Sequence, residues 1–257
     1  MALSPPRLAI ITGASAGIGE AFAEELARSG HDVMLVARRE ARLRALAERL
    51  SGDHGIRADH VAVDLSRAEA VPSIIAALGG RPVDLLVNNA GYTIADQFAA
   101  TDWPTQRDCL ATLVTAVVEL THALLPAMLA RGSGRIITVS SILALSQGGR
   151  GHTLYPAAKA FAHKFMLSLD AEVRGQGVVC TSVLPGSTTS EFREANGIEG
   201  AGGTMFVSTP QDVARAALAG NARGKLIVIP GWHNRLAALV MKIAPDALVR
   251  IAGRSMT

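Results

Sequence analysis

The chain has 257 residues, of which 49% are hydrophobic and 18% charged, and its formal net charge is +3. This length suits a single α/β domain with a sizeable core over residues 1–257. Scattered arginines and a small net charge argue against a nucleic-acid-binding surface, and the apolar runs are too short to predict a transmembrane span.

Apolar runs rich in branched side chains alternate with stretches of helical periodicity. We predict strands at 8–11, 31–37, 60–63, 83–87, 135–139, 178–184 and 225–229. We predict helices at 20–28, 40–50, 69–78, 105–131, 157–174 and 211–219. Pro126 should bend or end the long fourth helix. This alternation predicts an α/β fold, with a doubly wound parallel sheet of about seven strands and right-handed crossovers.

A glycine turn joins the first strand to the first helix. It reads T-G-A-S-A-G-I-G from Thr12 to Gly19. Glycines permit a tight turn and close approach of a phosphate, and the helix N-terminus supplies N–H groups for an anion. The spacing differs from the common G-x-G-x-x-G, and a structural turn without a ligand is the alternative interpretation.

Polar or turn residues follow the carboxyl ends of the predicted strands, where open parallel sheets bind ligands. They are Thr12, Arg38, Asp64, Asn89, Ser141 and Pro185-Gly186. One ligand site can therefore collect all of them.

The end of the second strand predicts the type of dinucleotide. An acid usually holds the ribose 2′-OH of NAD there, but Ala37 stands in that place and Arg38 and Arg39 follow. Guanidinium groups suit a 2′-phosphate, so we predict a preference for NADP(H) over NAD(H). The alternative is that both arginines merely begin a solvated helix.

Tyr155 and Lys159 are four residues apart and share one face of a predicted helix. A free tyrosine has a pKa of about 10, and lowering it by two or three units takes roughly 3–4 kcal/mol. One ammonium at about 4 Å supplies roughly that at an effective dielectric constant near 20. The pair can therefore provide a general acid and base, although the Y-x-x-x-K spacing alone is common.

Taken together, these motifs resemble the short-chain dehydrogenase/reductase family over essentially the full length. The matching residues are Thr12 to Gly19, Asp64-Leu65, N-N-A-G at 88–91, Ser141, Tyr155, Lys159 and Pro185-Gly186. The resemblance implies a Rossmann-type, three-layer α/β/α sandwich. It also implies an oxidoreductase that interconverts a hydroxyl and a carbonyl by hydride transfer.

The resemblance assigns roles to the matching residues. Ser141 would bond the substrate oxygen, Tyr155 would transfer the proton, and Lys159 would hold the nicotinamide ribose and lower the pKa of Tyr155. The remaining cofactor contacts would come from Gly13, Ser15, Gly17, Ile18, Gly19, Asp64, Leu65, Asn89, Ala90, Gly91, Pro185, Gly186 and a hydroxyl among Thr188, Thr189 and Ser190.

One position departs from the family pattern. Members often carry an asparagine in the helix before the Ser141 strand, where it supports a proton path behind the lysine, and that position here is Leu113. The departure keeps open a second hypothesis, a cofactor-binding sensor or scaffold protein with little turnover. The presence of Ser141, Tyr155 and Lys159 together favours the enzyme.

The substrate is predicted to be a small, hydrophobic carbonyl or alcohol. Candidate pocket residues are Ile94, Phe98, Ile142, Leu143, Leu145, Leu154, Met205 and Phe206. Residues 187–207 are rich in Gly, Ser and Thr, and the resemblance implies that this region covers the substrate, so we expect it to form a mobile lid.

The segment 235–253 is amphipathic and could pack on a second subunit or lie on a membrane surface as a peripheral contact. Because relatives are commonly homodimers or homotetramers, we favour the subunit contact. Cys109 and Cys180 lie in no C-x-x-C or metal-ligand pattern, so we expect reduced thiols, no metal site and a cytoplasmic location.

Overall fold

The computed structural model describes residues 7–94, 96–146, 153–188 and 208–243 of the chain. Seven strands form one parallel sheet in the order β3-β2-β1-β4-β5-β6-β7. The strands are β1 Leu8–Thr12, β2 Asp32–Ala37, β3 Ala58–Ala62, β4 Leu85–Asn88, β5 Gly134–Val139, β6 Val178–Val183 and β7 Ile227–Val228. This topology confirms the predicted doubly wound sheet.

Helices connect the strands, as the alternating pattern predicted. They are α1 Gly17–Arg28, α2 Glu40–His54, α3 Ala70–Leu78, α4 Trp103–Leu110, α5 Ala116–Ala130, α6 Leu154–Val173, α7 Pro210–Ala222 and α8 Trp232–Ile243. Gly79 ends α3 in the left-handed conformation, as expected for a helix stop.

The sheet carries an apolar core on each face, because successive residues of a strand point to opposite sides. On one face Ile11 and Leu35 pack with buried residues of α1, α2 and α7. On the other, Ile10 and Met34 pack with buried residues of α3, α5 and α6. Both cores lie below the carboxyl edge of the sheet and fix the loops that follow each strand.

The long helix predicted at 105–131 is interrupted, but not at Pro126. A π-helical segment, Ala111–Thr115, separates α4 from α5, while Pro126 lies inside α5. The whole stretch Trp103–Ala130 is long and apolar enough to cross a membrane by length and composition. Leu120, Leu124 and Met128 belong to the core of the sheet, and such packing produces the same composition.

Several smaller boundaries also differ from the prediction. α6 begins at Leu154 rather than at residue 157, so Tyr155 lies in its first turn. β3 lies at Ala58–Ala62, so it begins two residues and ends one residue earlier than predicted, and β7 is limited to two residues. Cys109 and Cys180 are buried free thiols, as expected.

Candidate active site

Thr12 ties the glycine turn after β1 to the loop after β4. Its hydroxyl accepts hydrogen bonds from the backbone N–H groups of Asn89 at 3.0 Å and Ala90 at 3.1 Å. The Asn89 amide donates in return to the Thr12 carbonyl oxygen at 2.9 Å. Asn89 therefore positions the two loops, a different contact from the direct cofactor contact expected from the resemblance.

Two glycines make this junction possible. A Cβ on Gly13, which has a φ of +68°, would lie 2.8 Å from the Ala90 Cα. A Cβ on Gly19 would lie 2.1 Å from the Gly13 carbonyl oxygen. No side chain caps the first turn of α1, so its N–H groups suit the diphosphate of a dinucleotide.

The two predicted phosphate-binding arginines diverge. Arg39 folds back onto the glycine turn and donates to the Ser15 hydroxyl from Nε at 3.1 Å and to the Ser15 carbonyl from a terminal nitrogen at 3.2 Å. The guanidinium carbon of Arg38 lies 5.9 Å from the ring centroid of Tyr92. Both side chains are exposed beside the turn, where a 2′-phosphate could reach them.

Asp64 belongs to the same corner but its carboxylate is already bonded. The Oδ1 atom accepts the backbone N–H of Ser66 at 3.0 Å and the Ser66 hydroxyl at 2.8 Å. Partial burial opposes ionisation, but these hydrogen bonds and the charges of Arg38 and Arg67 lower the pKa of Asp64 below its ordinary value. Its carboxylate thus stays charged and faces the arginines.

The other predicted cofactor contacts near this corner are partly buried in the cores. Ile18 packs on the core beside α1, and Leu65 packs on the opposite core. Their packing fixes the backbone of the two loops.

Ser141 and Tyr155 form the reactive end of the site. Ser141 precedes a 3₁₀ turn, Ile142–Leu145, and its Oγ accepts the Leu143 backbone N–H at 3.2 Å. The Ser141 hydroxyl is also hydrogen bonded to the phenol of Tyr155. Because the Ser141 oxygen accepts from Leu143, the Ser141 O–H can donate its proton to the phenol oxygen of Tyr155.

Lys159 anchors α6 to the end of β5. Its Nζ donates to the Val139 carbonyl oxygen at 2.7 Å, and the Ser140 hydroxyl donates to the Lys159 carbonyl oxygen at 2.7 Å. Nζ lies 5.7 Å from the centroid of the Tyr155 ring. Burial lowers the pKa of Lys159 to about 8.

The pKa of Tyr155 differs from the sequence-based expectation. Burial raises it to about 12, and the hydrogen bond from Ser141 offsets only part of that effect. The predicted lowering by Lys159 is not found: burial is the largest influence on the pKa of Tyr155, and the Ser141 hydrogen bond is what lowers it. Tyr155 is therefore a protonated phenol at neutral pH.

Leu113 fills the space behind Lys159 where the family often carries asparagine. It is 2% exposed, and a Cβ on Gly91 would lie 2.7 Å from its Cδ2 and 3.5 Å from Lys159 Nζ. Cys109 and Ala158 complete the buried apolar cluster, against which Tyr155 packs. The space behind Lys159 is thus lined by apolar groups and the Cys109 thiol.

The Pro185-Gly186 turn is held by a residue from α8. A Cβ on Gly186 would lie 2.0 Å from Asn234 Oδ1, and the Asn234 amide donates to the Pro230 carbonyl oxygen at 2.7 Å. Thr188 pairs with Ser208, so the two described ends of the predicted lid meet. Thr189, Ser190, Met205 and Phe206 lie outside the described residues, as does the interior of that segment.

A small, shallow cleft with a cavity volume of about 10 Å³ opens beside the Tyr155 side chain. It is lined by Ile94, Asp96, Phe98, Gln106, Thr153, Leu154 and Tyr155. Ile94, Phe98 and Leu154 were predicted for the pocket, whereas Ile142 and Leu143 lie in the 3₁₀ turn and do not line this cleft. Within the described residues, no group of three His, Cys, Asp or Glu side chains could hold a metal ion.

Sequence reasoning missed five residues of this region. They are Tyr92, Asp96, Gln106, Thr153 and Asn234. Tyr92 directly follows the N-N-A-G motif and Thr153 lies two residues before Tyr155, so both had a usable signal. Gln106 and Asn234 belong to no motif, and only the packing of distant elements brings them to the site.

Comparison with known proteins agrees with this geometry. A family model described as short chain dehydrogenase matches residues 7–199. An uncharacterized oxidoreductase of Myxococcus xanthus is 33% identical over 252 residues, which are 97% of each protein.

Two solved structures are also similar. A short-chain dehydrogenase of Sphingobium yanoikuyae in complex with NADPH has a TM-score of 0.83 and 31% identity, covering 94% of this chain and 97% of that one. A 7β-hydroxysteroid dehydrogenase has a TM-score of 0.89 and 26% identity, covering 96% of each chain.

The chain therefore belongs to the short-chain dehydrogenase/reductase family of oxidoreductases. The glycine turn, the uncapped end of α1 and the neighbouring arginines fit a nicotinamide dinucleotide, the cofactor type bound by the Sphingobium protein.

Proposed function

We propose that this protein is an NADP(H)-dependent oxidoreductase that interconverts a ketone or aldehyde with its alcohol. The observation that carries the proposal is the Ser141–Tyr155 hydrogen bond at the wall of a cleft with apolar residues beside Tyr155. This bond lies on the same sheet edge as the glycine turn, which supports Tyr155 as the proton donor to a substrate carbonyl in the cleft.

Tyr155 supplies the proton in the direction of reduction. Its pKa of about 12 keeps the phenol protonated at neutral pH, and the substrate oxygen that accepts its proton becomes the product hydroxyl. Ser141 donates a hydrogen bond that polarises the substrate carbonyl or stabilises the phenolate left on Tyr155. When bound, the nicotinamide supplies or accepts the hydride at the substrate carbon.

In the direction of oxidation Tyr155 acts as the base. The hydrogen bond from Ser141 then stabilises the charge on the phenolate oxygen. The Lys159 ammonium contributes a positive charge on the same side, with its position fixed by Val139.

The preference for NADP(H) rests on Arg38 and Arg39. Both are exposed beside the glycine turn and no acid stands at Ala37. An Arg39 guanidinium already bonded to Ser15 can exchange that bond for one to a 2′-phosphate at little cost in solvent-exposed surroundings.

The proposed substrate is small and largely hydrophobic. Ile94, Phe98 and Leu154 provide apolar walls beside Tyr155. The similar 7β-hydroxysteroid dehydrogenase supports an apolar carbon skeleton next to the reacting group.

Leu113 supports the second candidate, a cofactor-binding protein with little turnover. The Leu113 side chain behind Lys159 is apolar, so it cannot hydrogen bond to a water in a proton path at that position. The variants Leu113→Asn and Leu113→Ala together separate the two candidates.

We further propose a cytoplasmic homodimer or homotetramer. Trp232, Leu236, Leu239 and Val240 on α8 are all more than half exposed, an apolar stripe that a second subunit would cover. Free buried thiols are the usual condition of a reducing compartment.

A fluorescence titration with NADPH and, separately, NADH tests the proposal first. We expect tight binding of NADPH, weak binding of NADH, and reduction of hydrophobic ketones and aldehydes. Tyr155→Phe should reduce turnover by about 10² to 10⁴ while NADPH still binds. Failure of both cofactors to bind at millimolar concentration would overturn the assignment.

A further inference from the structure

Gln106 is the buried polar side chain of the cleft that the proposed mechanism does not use. It lies on α4, is 3% exposed and lines the cleft that contains Tyr155. Its backbone N–H bonds to Asp102, but across the described residues its side-chain amide has no hydrogen-bond partner. Its amide nitrogen and oxygen are not among the fully buried side-chain atoms without a partner, so they open onto the cleft although the residue as a whole is buried. A ligand group in the cleft can therefore bond to this amide.

The surroundings of Gln106 make a substrate group the natural partner. Among the other lining residues, Ile94, Phe98 and Leu154 offer no side-chain donor or acceptor, and the hydroxyls of Thr153 and Tyr155 are not bonded to the Gln106 amide. An amide both donates and accepts, so it suits a hydroxyl or a second amide.

Asp96 limits the charge that this group can carry. It is exposed and lines the same cleft. A carboxylate repels a carboxylate or sulfonate on the substrate, whereas it tolerates a neutral hydroxyl. Besides the hydroxyls of Thr153 and Tyr155, the cleft therefore combines the buried neutral amide of Gln106 with the negative charge of Asp96.

We propose that Gln106 is a specificity-determining residue that selects substrates with a neutral hydrogen-bonding group on their apolar skeleton, in addition to the reacting carbonyl. The preferred class is a hydroxylated hydrophobic ketone or aldehyde, and anionic ketones are disfavoured. This inference rests on the proposed carbonyl reduction, and it narrows the substrate class of the same site.

Benzylacetone and its ring-hydroxylated analogues test the role of Gln106. With the hydroxyl placed in turn at the ortho, meta and para positions, at least one isomer should exceed benzylacetone in kcat/KM by about tenfold, the scale of one hydrogen bond in a buried site. Gln106→Met, which is close in shape but apolar, should reduce that ratio to about one. Thr112→Val is the matched control, because Thr112 is buried nearby with its hydroxyl bonded to the Asp108 carbonyl oxygen at 2.9 Å; it should keep the ratio.

The para-carboxyl analogue tests Asp96. It should be at least tenfold poorer than benzylacetone, and Asp96→Asn should recover most of that loss. A carboxyl analogue that is used as well as benzylacetone, or a hydroxyl preference unchanged in Gln106→Met, would overturn the inference.

Calorimetric binding of the same ligands separates this inference from the proposed function. A hydroxyl preference that is present in binding and lost in Gln106→Met supports the role of Gln106 even without turnover, and turnover absent with NADPH counts against the proposed function alone. Equal binding of all isomers by the wild type, alongside measurable reduction, counts against Gln106 alone.

Discussion

The Nζ atom of Lys159 donates a 2.7 Å hydrogen bond to the Val139 carbonyl oxygen, which links the first turns of α6 to the last residue of β5. Lys159 is 6% exposed, and its ammonium lies among Leu113, Gly91 and the ring of Tyr155. A buried ammonium with this single protein bond carries a desolvation cost, which explains its lowered pKa.

Replacement of Lys159 by methionine should therefore stabilise the fold at neutral pH. The pKa falls from 10.5 to about 8 on folding, a cost of about 3 kcal/mol at roughly 1.4 kcal/mol per pKa unit. Losing the bond to Val139 offsets about 1 kcal/mol of it. Lys159→Met should raise the free energy of unfolding at pH 7 by about 2 kcal/mol, measured by urea denaturation.

The stability difference between Lys159→Met and the wild type should depend on pH. Between pH 8 and pH 10.5 the unfolded chain binds a proton at Lys159 that the folded chain has lost, so the stability of the wild type rises with pH there. The advantage of Lys159→Met should shrink over that window. Lys225→Met, which changes an exposed lysine, should show no such trend; a constant advantage across the window would contradict the assignment.

Charge reversal at Arg38 or Arg39 should weaken NADPH binding selectively. Losing one charge-assisted bond to a 2′-phosphate costs about 1.5 to 3 kcal/mol, or roughly 10- to 100-fold in affinity. NADH, which has no 2′-phosphate, should change by less than threefold. The measurement is a fluorescence titration of Arg38→Asp and Arg39→Asp with each cofactor.

Arg44→Asp is the matched control for this comparison. Arg44 lies on α2 and pairs with Glu40 at 3.0 Å on an exposed face. Its reversal should leave the ratio of NADPH to NADH affinity unchanged. The same ratio in all three variants would show that the arginines serve only the solvated start of α2.

The sheet and the main motifs of the site could be predicted from the sequence, because both depend on residues that are close together in the chain. Apolar runs, the glycine turn at Gly13 and the four-residue spacing of Tyr155 and Lys159 can each be identified within a few residues. Asn234 reaches Gly186 across 48 positions of sequence, and Gln106 reaches the cleft only because α4 packs near α6. Tertiary packing determines such contacts, and the hydrophobic periodicity of a short segment does not predict them.

The bond from Lys159 to Val139 was missed for a related reason. The spacing of Tyr155 and Lys159 places both on one helical face, but it does not specify which acceptor the ammonium finds. The helix interruption at Ala111–Thr115 likewise follows no Gly or Pro signal; the proline in that stretch, Pro126, is accommodated inside α5.

Leu113→Asn should raise turnover while it lowers stability. The amide would lie beside Gly91 and near Lys159, where it can support a water-linked proton path. We expect a several-fold higher kcat for ketone reduction, and a loss of about 2 to 3 kcal/mol in the free energy of unfolding from a polar group in an apolar cluster.

Leu113→Ala is the control for that result, because it opens the same space without adding an amide. If kcat rises in Leu113→Asn but not in Leu113→Ala, the wild-type protein is an enzyme whose turnover is slowed by Leu113. Tight NADPH binding without turnover in the wild type and both variants would favour the sensor or scaffold hypothesis instead.

Gly186→Ala should be destabilising through its contact with Asn234. The added Cβ would lie 2.0 Å from Asn234 Oδ1, inside a region where Asn234 is 4% exposed. Overpacking of this kind costs about 1 to 3 kcal/mol. Asn234→Ala removes the obstructing amide, so a double-mutant cycle by urea denaturation should show that Gly186→Ala costs less in that background. Equal costs in both backgrounds would mean that the turn adjusts without involving α8.

The exposed face of α8 should determine the oligomeric state. Trp232, Leu236, Leu239 and Val240 have the spacing of one helical face and are 69%, 55%, 54% and 51% exposed. Leu236→Ser combined with Leu239→Ser should convert the oligomer to a monomer in light scattering at micromolar concentration, since a subunit contact loses its apolar centre. Trp103→Ser, which alters an apolar side chain on α4 that is 63% exposed, should leave the oligomer intact. An unchanged oligomer in the double variant, with loss of sedimentation on anionic lipid vesicles, would assign the same stripe to a membrane surface.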